Sequence, residues 1–276
     1  FFGLFDLRDY IALWRHKGIL WVLWAGSDIR HLRSNFIFND GKLNWLSVLF
    51  AGLGINFKYF LIKHVLNKAE HWVENEAEAW QLRDMGIKVS GICPSFMGRK
   101  EDYKIEFRPG NKVWLSSSKY REAEYGWGIV LQIAWALPEL EFHLYGSNWD
   151  WFSKCEHKNP AEVFRMQGIS WKQYSPNVFI HGRVPKEKMN REIKKMQCGL
   201  RLNKHDGFSE VTAKSVLWGQ YPITYLYNPM IDQFTVDNHG IQTTSGNIRN
   251  LVRLLKQIPK KKKPNLYPDF PTGGMI

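Results

Sequence analysis

One segment in the second half of the chain constrains the fold more than any other. It opens with the apolar run Cys198–Leu202, which has the length of a buried strand, and passes into a short polar loop containing Asp206 and Gly207. Small and branched residues then predict a helix from Ser209 to Trp218, and the stretch Pro222–Tyr225 predicts a further strand. The N–H groups at the start of such a helix have no partner within it and attract anions. The segment therefore predicts a β-α-β unit that can cradle a phosphate group.

The same alternation of strand and helix patterns runs through the rest of the sequence. Further strands are predicted at residues 19–24, 71–73, 87–92, 113–117, 141–145 and 178–181. Further helices are predicted at residues 6–14, 43–69, 76–85, 127–137, 186–196 and 247–258. Strands separated by helices form parallel β-α units, so the predicted fold class is α/β, with two Rossmann-like domains facing each other across a cleft.

The composition along the chain predicts two domains, a linker and a tail. Residues 1–95 form the first Rossmann-like domain, which we expect to be incomplete because no strand with a glycine-containing turn precedes its first helix. Residues 96–111 are polar and lack an apolar period, which is typical of a linker. Residues 112–258 form the second domain, of ordinary size, and residues 259–276 form a basic tail.

The charge balance favours an anionic partner. The formal net charge is +12, which fits a nucleotide, a nucleic acid or an acidic membrane face, and does not choose among them. Part of the excess lies in the tract Lys260–Lys263, which is either a solvated tail or a segment attracted to anionic lipid.

Cysteine and histidine spacing argues against a metal site or a disulfide scaffold. The three cysteines are far apart, and no Cys-x-x-Cys or His-x-x-x-His pattern occurs, which favours a reducing compartment. The longest apolar stretch, Leu46–Ile55, is too short for a spanning helix and indicates an interfacial or core helix. We therefore expect no metal, and a cytoplasmic protein that also contacts the inner face of the membrane peripherally if the lysine tract binds lipid.

The loops at the carboxyl ends of the predicted strands of the second domain carry hydroxyls, cations and glycines. Because ligands of open α/β sheets bind outside these strand ends, the loops are expected to converge on a nucleotide diphosphate. They contribute Ser118, Lys119 and Arg121 after the first strand, Gly146 and Ser147 after the second, Gly182 and Arg183 after the third, and Asp206, Gly207, Phe208 and Ser209 after the fourth, with Glu210 and Lys214 on the helix that follows.

Each of these features also has a purely structural interpretation. The glycines can be turn residues, the loop of Lys119 and Arg121 can be solvated beside its acids, and Asp206 can simply cap the helix. Glu210 and Lys214 are four residues apart and either pair with each other or leave Lys214 to reach a phosphate or a ribose. In the functional interpretation, Asp206 accepts hydrogen bonds from sugar hydroxyls while the amides of residues 208–211 bind phosphate.

With these motifs in place, the sequence resembles the retaining family-4 glycosyltransferases of the GT-B fold. That family has a Glu-Gly-Phe-Gly loop, a second Glu eight residues later, and a Gly-x-Pro turn. Here Asp206-Gly-Phe-Ser209 is similar to the loop with Asp for Glu, Lys214 stands where the second Glu is usual, and Gly219-Gln-Tyr-Pro222 is similar to the turn with one extra residue.

Two other passages carry the resemblance across most of the chain. The acceptor-side loop of the family, His-Gly-Thr-Asp, is similar to Ala25-Gly-Ser-Asp28, which implies acceptor-side roles for Gly26, Ser27 and Asp28. The family's diphosphate loop corresponds to residues 117–126, with Arg121 as the best match.

The resemblance implies transfer of a sugar from a nucleotide-sugar donor to a glycan or lipid-linked acceptor, with retention. It implies a hexosyltransferase of polysaccharide biosynthesis that needs no cofactor and no metal, because the cations Arg121 and Lys119 and the helix at Ser209 stabilise the leaving diphosphate. The catalytic residues on this view are Asp206, Arg121 and Lys119, and the other loop residues bind the donor.

Two alternatives stay open at the level of sequence. Lys214 and Ala25 depart from the family pattern, which favours a noncatalytic sugar-nucleotide-binding relative or an epimerase. The charge and the 13 tryptophans prompt a nucleic-acid binder, but most tryptophans, such as Trp21 and Trp114, lie inside apolar runs and indicate core packing. We therefore expect no nucleic-acid partner.

Overall fold

The computed structural model describes residues 4, 7–24, 26–30, 32, 38–39, 42–93, 110–117, 125–146, 176–203, 209–225, 242–244 and 247–258. These residues belong to two compact units. The described residues up to 93 form the first unit, and those from 110 onward form the second.

The first unit is built on a parallel sheet of three strands. Its strands and helices, in chain order, are α1 (Leu7–Arg15), β1 (Trp21–Trp24), α2 (Ser27–Arg30), β2 (Phe38–Asn39), β3 (Lys42–Leu43), α3 (Trp45–Gly52), α4 (Phe57–Phe60), a π-helical turn (Leu61–Val65), β4 (Glu70–Val73), α5 (Glu76–Asp84) and β5 (Val89–Ile92). The sheet order is β1-β4-β5, and β2 pairs with β3 in antiparallel orientation. Its core includes Val22, Trp24, Val73 and Leu82.

Side-chain caps fix where the helices of this unit begin. The Asn75 side chain accepts a hydrogen bond from the Glu78 amide at 3.0 Å, and a Glu78 carboxylate oxygen accepts one from the Glu74 amide at 3.0 Å. The first bond satisfies an amide that the first turn of α5 leaves unpaired, and the second ties the residue before the N-cap to that turn. Helix α5 therefore starts directly at the carboxyl end of β4.

The helical region predicted at residues 43–69 is broken in the structure. Helix α3 ends at Gly52, and Gly54 follows with a φ of +71°, a left-handed conformation that suits glycine. The Asn56 side chain then accepts a hydrogen bond from the Tyr59 amide at 3.0 Å and begins α4. The glycines and the asparagine cap outweighed the apolar period that the prediction relied on.

The second unit contains a parallel sheet of six strands. Its elements are β6 (Lys112–Ser116), α6 (Trp127–Ala136), β7 (Glu141–Tyr145), β8 (Val178–Gly182), α7 (Lys186–Ile193), β9 (Cys198–Arg201), α8 (Glu210–Leu217), β10 (Ile223–Tyr225), β11 (Gln242–Thr244) and α9 (Ile248–Gln257). The sheet order is β11-β10-β9-β6-β7-β8, and every pairing is parallel. Counted from β6, this is the order 6-5-4-1-2-3 of a Rossmann sheet, and the order in which strands are added reverses between β6 and β9.

Alternating side chains of β6 belong to different apolar clusters. Val113 and Leu115 pack in the cluster that includes Leu131 of α6 and Leu251 of α9. Trp114, between them, packs in the cluster that includes Val211 of α8. Successive residues of a strand point to opposite faces, so helices cover this sheet on both sides, which explains its continuous apolar strands.

The predicted α/β fold class is confirmed, and the strands at 141–145 and 178–181 lie within one residue of their predicted bounds. Strands β2, β3 and β11 were not predicted. They contain two or three residues each, which is too short for an apolar period to be visible.

Candidate functional site

The reversal of strand order places the carboxyl ends of β6 and β9 side by side. Val113 and Trp114 of β6 pair with Cys198 and Gly199 of β9, so the loops that leave these strands start next to each other. In open α/β sheets, this topological switch point is where ligands bind. The buried hydroxyl oxygen of Ser117, just beyond β6, has no hydrogen-bond partner within the described residues.

The start of α6 lies against the end of β9. Gly126 precedes α6 with a φ of +80°, and a Cβ atom at this position would come within 2.6 Å of the Leu202 Cβ. Only glycine permits both the left-handed backbone and this close approach. The amide end of α6, which attracts anions, is thereby held at the switch point.

A buried cation also lies at this point. The guanidinium of Arg201, the last residue of β9, is 4.2 Å from the centroid of the Tyr125 ring beside the start of α6. Cation–π contact of this kind orients a guanidinium, which stays charged at any physiological pH. Arg201 was not among the predicted site residues, although a charged residue inside the apolar run Cys198–Leu202 is a signal for it.

Gly146 and Gly182 join the ends of three strands. The Gly146 amide donates to the Gly182 carbonyl at 2.9 Å, and the Ser117 amide donates to the Tyr145 carbonyl at 3.0 Å. Both glycines have positive φ, and a Cβ atom on Gly146 would overlap the Ser117 carbonyl oxygen. The backbone of these glycines thus connects the ends of β6, β7 and β8. Arg183, the predicted donor-binding residue that follows Gly182, is exposed.

Helix α8 begins where the sequence predicts. The buried Ser209 side chain accepts a hydrogen bond from the Thr212 amide at 3.2 Å and lies 2.7 Å from the Thr212 hydroxyl. Ser209 is therefore the N-cap, and Glu210 occupies the first helical position. A second close contact, between Gly199 of β9 and Ser215 of α8, leaves no room for a Cβ atom on the glycine.

Lys214 is held between α7 and α8. Its ammonium nitrogen lies 2.7 Å from a Glu210 carboxylate oxygen and donates to the Asn190 side-chain oxygen at 3.0 Å. The residue is 1% exposed. Burial lowers the pKa of Lys214, and the charge of Glu210 partly offsets that shift. The sequence left open whether Lys214 pairs with Glu210 or reaches a phosphate or a ribose, and the structure shows the pair with Glu210. The hydrogen bond to Asn190 was not predicted.

Most of the residues predicted to act on the donor lie outside the described residues, and their roles stay predictions. They are Ser118, Lys119, Arg121, Ser147, Asp206, Gly207 and Phe208.

The predicted acceptor-side residues follow the carboxyl end of β1 in the first unit. Gly26 has a φ of +66°, and α2 begins with Ser27. The buried Asp28 accepts a hydrogen bond from the Ile29 amide at 2.8 Å. Burial, and then the charge of Asp28, raises the pKa of Tyr10. Within the described part of the chain, no group of three His, Cys, Asp or Glu residues could hold a metal ion.

The parallel α/β architecture is that of the GT-B fold, which glycosyltransferases adopt. No protein-family model and no curated protein matches the sequence. Among solved structures, HepE from Anabaena, in complex with UDP-glucose, is similar over 90% of this chain and 65% of its own, with 11% identity and a TM-score of 0.61. TarM from S. aureus, in a complex containing UDP, is similar over 90% of this chain and 45% of its own, with 13% identity and a TM-score of 0.60.

A third similar structure is sucrose-phosphate synthase from Thermosynechococcus elongatus, with 10% identity, a TM-score of 0.61, and coverage of 96% of this chain and 65% of its own. The chain thus spans between 45% and 65% of the length of these three proteins. At such low identity the likeness establishes the fold.

Proposed function

We propose that this protein is a glycosyltransferase that takes a sugar from a nucleotide-sugar donor. The observation that carries the proposal is the switch point between β6 and β9. The two loops to which the resemblance assigns diphosphate binding and sugar binding, at residues 117–126 and 205–209, follow these two neighbouring strands. The solved structures of similar fold that contain UDP or UDP-glucose support a nucleotide donor.

The donor diphosphate would lie between the starts of α6 and α8, whose amide ends both favour an anion. Arg121 and Lys119 would stabilise the charge that develops on the leaving nucleoside diphosphate when the bond from the anomeric carbon to the phosphate oxygen breaks. Asp206 would accept hydrogen bonds from the sugar. The acceptor hydroxyl oxygen would form the new bond on the same face and pass its proton to the departing phosphate oxygen, which gives retention.

We further propose a hexose as the transferred sugar and a glycan or lipid-linked acceptor held beside Gly26, Ser27 and Asp28. No metal or cofactor takes part in this scheme. The setting would be polysaccharide biosynthesis in the cytoplasm, with peripheral contact at the inner face of the membrane.

A second candidate function is binding of a sugar nucleotide without transfer. The observation that favours it is the arrangement of Lys214, where the related enzymes have a carboxylate. A carboxylate accepts hydrogen bonds from ribose hydroxyls, whereas an ammonium group can only donate. The donor would then be held in a different position relative to Asp206.

Release of the nucleoside diphosphate from a panel of UDP-, GDP- and TDP-sugars, with and without glycan acceptors, tests the proposal. We expect release with at least one donor, and a loss of at least about tenfold in Arg121→Ala and Asp206→Ala, because each removes a charged contact to the reacting groups. Arg249→Ala, at an exposed arginine of α9, is the matched control and should keep full activity. Donor binding without any release would favour the second candidate, and undiminished release in both site variants would refute the site assignment.

A further inference from the structure

The outer face of α3 is an apolar surface that is exposed among the described residues. Helix α3 contains no charged residue. One side of it packs inward, where Ser47 is buried and the Phe50 ring lies 4.8 Å from the Phe57 ring and 5.2 Å from the Phe60 ring. The other side and the turn that follows carry large exposed side chains, and we call this set the α3 face: Trp45, Val48, Leu49, Leu53 and Ile55.

The exposure of the α3 face is large for side chains of this type. Trp45 is 70% exposed, Leu53 66% and Leu49 52%. A helix that is apolar on all sides is normally buried, and a contiguous exposed apolar patch marks a surface that binds something. The α3 face is therefore expected to be covered in the functional state.

The charges on either side of α3 in the sequence indicate what covers the α3 face. Residues 41–69 contain no Asp or Glu. Three exposed lysines flank the apolar residues in sequence, Lys42 before α3, and Lys63 and Lys68 after α4. The ammonium nitrogen of Lys63 lies 5.5 Å from the centroid of the Tyr59 ring. A segment that combines exposed apolar residues with cations and no acids matches an anionic lipid surface in both chemistry and sign of charge.

We propose that the α3 face inserts among the lipids of an anionic membrane surface while the flanking lysines contact the headgroups. An exposed tryptophan at one end of the apolar set suits this position, because its indole favours the boundary between headgroups and acyl chains. Among the described residues no single helix is long and apolar enough to span a membrane, and α3 meets α4 and the π-helical turn at a bend of 102°. At about 12 Å, α3 has the length of a short helix that lies in the plane of the interface.

This proposal is distinct from the basic tract Lys260–Lys263 and does not depend on glycosyl transfer. Binding to a bilayer can be measured without a donor, an acceptor or turnover, so the two proposals fail separately.

Flotation with phosphatidylcholine vesicles, with and without phosphatidylglycerol, tests the proposal. The variant Trp45→Gln/Leu49→Gln replaces two exposed apolar side chains by polar ones, which removes the apolar contact and leaves the basic tail intact. We expect binding to phosphatidylglycerol vesicles to fall by about tenfold or more. Trp135→Gln is the matched control, since Trp135 of α6 is 67% exposed and lies in the other unit, and it should bind as the parent does.

A second variant tests the charge component. Lys42→Gln/Lys63→Gln/Lys68→Gln should weaken binding to phosphatidylglycerol vesicles and reduce its sensitivity to salt, because salt screens contacts between lysines and headgroups. Circular dichroism and the melting temperature establish that each variant is folded, which we expect because every substituted residue is exposed.

Three results would overturn the proposal. The parent protein fails to float with either type of vesicle. The Trp45→Gln/Leu49→Gln variant floats as well as the parent, which would transfer the binding to the tail or to another surface. Light scattering finds that the parent is a dimer and the variant a monomer, without vesicle binding, which would make a second copy of the chain the occupant of the α3 face.

Discussion

At the scale of single residues, the buried ammonium group of Lys214 is the one whose roles in packing and in donor binding can be separated by experiment. Burying a charge is costly, and the attraction of Glu210 together with the hydrogen bond to Asn190 offsets that cost. The Glu210 side chain is 58% exposed and the Lys214 side chain 2%, so only the carboxylate of this pair faces solvent. A pair so placed either stabilises the contact of α7 with α8 or contributes a cation to the ligand.

The substitution Lys214→Met separates these two roles. Methionine fills a similar volume without a charge, so we expect the free energy of unfolding to stay within about 1 kcal/mol of the parent value. If the ammonium group contacts the donor, affinity for nucleoside diphosphates should fall about tenfold in isothermal titration calorimetry. Lys256→Met, at an exposed lysine of α9, is the control and should bind as the parent does. Parent-like affinity in Lys214→Met would show that the cation is structural.

The backbone of Gly146 allows a second prediction at this scale. Its φ of +102° and the carbonyl of Ser117 leave no space for a side chain. Gly146→Ala should therefore destabilise the second unit by roughly 2–4 kcal/mol, because the strand ends must separate. Gly52→Ala, where nothing lies within 4 Å of the added Cβ, is the control and should be neutral or slightly stabilising. Equal melting temperatures for the two variants would contradict this account.

At the scale of elements, the turn from α8 to β10 explains the extra residue in Gly219-Gln-Tyr-Pro222. Gln220 is fully buried, accepts a hydrogen bond from the Trp114 indole at 2.7 Å and donates to the Ile193 carbonyl. It thereby connects the turn to β6 and to the end of α7. Gln220, which lies in the turn that is one residue longer than the Gly-x-Pro pattern, therefore has a structural role.

Gln220→Leu should cost roughly 2–3 kcal/mol of stability, because it leaves the buried indole N–H of Trp114 without its acceptor and removes one of the two hydrogen bonds to the Ile193 carbonyl. Chemical denaturation measures this loss as a lower midpoint with an unchanged slope. Gln132→Leu, on the exposed side of α6, should change stability by less than about 0.5 kcal/mol. A loss in Gln220→Leu no larger than in Gln132→Leu would contradict the proposed connection.

Strands β7 and β8 share a pair of histidines that we expect to make this part of the sheet sensitive to acid. The His143 Nδ1 atom lies 2.9 Å from the His181 Nε2 atom, an arrangement in which one nitrogen must accept and therefore carry no proton. Burial lowers the pKa of both histidines, and Glu141 beside His143 and Glu192 near His181 partly offset this. Two cations also face the pair and oppose its protonation, Lys112 near His143 and Lys188 near His181.

The sign of the resulting pH dependence follows from the lowered pKa values. Below about pH 6.5 the unfolded histidines bind protons that the folded ones do not, so stability falls as the pH drops towards the folded pKa values and is then constant. The melting temperature should fall by a few degrees between about pH 7 and about pH 5, and by less in His181→Gln. His64→Gln, at an exposed histidine of the first unit, should show the same pH dependence as the parent. An identical fall in His181→Gln and the parent would exclude this pair as the cause.

At the scale of the whole molecule, sequence patterns predicted the local elements better than their meeting points. Strand β9 was visible as an apolar run, and the Ser209 cap marked the start of α8. The contact of Lys214 with Asn190, 24 residues away, arises only once the strand order brings α7 and α8 together. Arg201 meets Tyr125 for the same reason. Periodicity and caps act over a few residues, whereas these contacts depend on the order of strands in the sheet.

The separate cores of the two units lead to a prediction for the molecule as a whole. One core contains Val22 and Leu82 and the other Val113 and Leu251, so calorimetry should resolve two unfolding transitions. UDP at a hundred times its dissociation constant adds about 2.7 kcal/mol to the folded state that binds it, which corresponds to a rise of a few degrees. Because the proposed diphosphate site lies at the switch point of the six-stranded sheet, only that unit's transition should rise.

The variant Gly146→Ala identifies this transition independently, because it lowers the stability of the same sheet. We therefore expect UDP to raise the transition that Gly146→Ala lowers, and adenosine or inorganic phosphate alone to raise it less, since each supplies only part of the contacts. A rise confined to the other transition would move the nucleotide site to the first unit and refute the assignment to β6 and β9. A single transition that shifts as a whole would show that the two units unfold together.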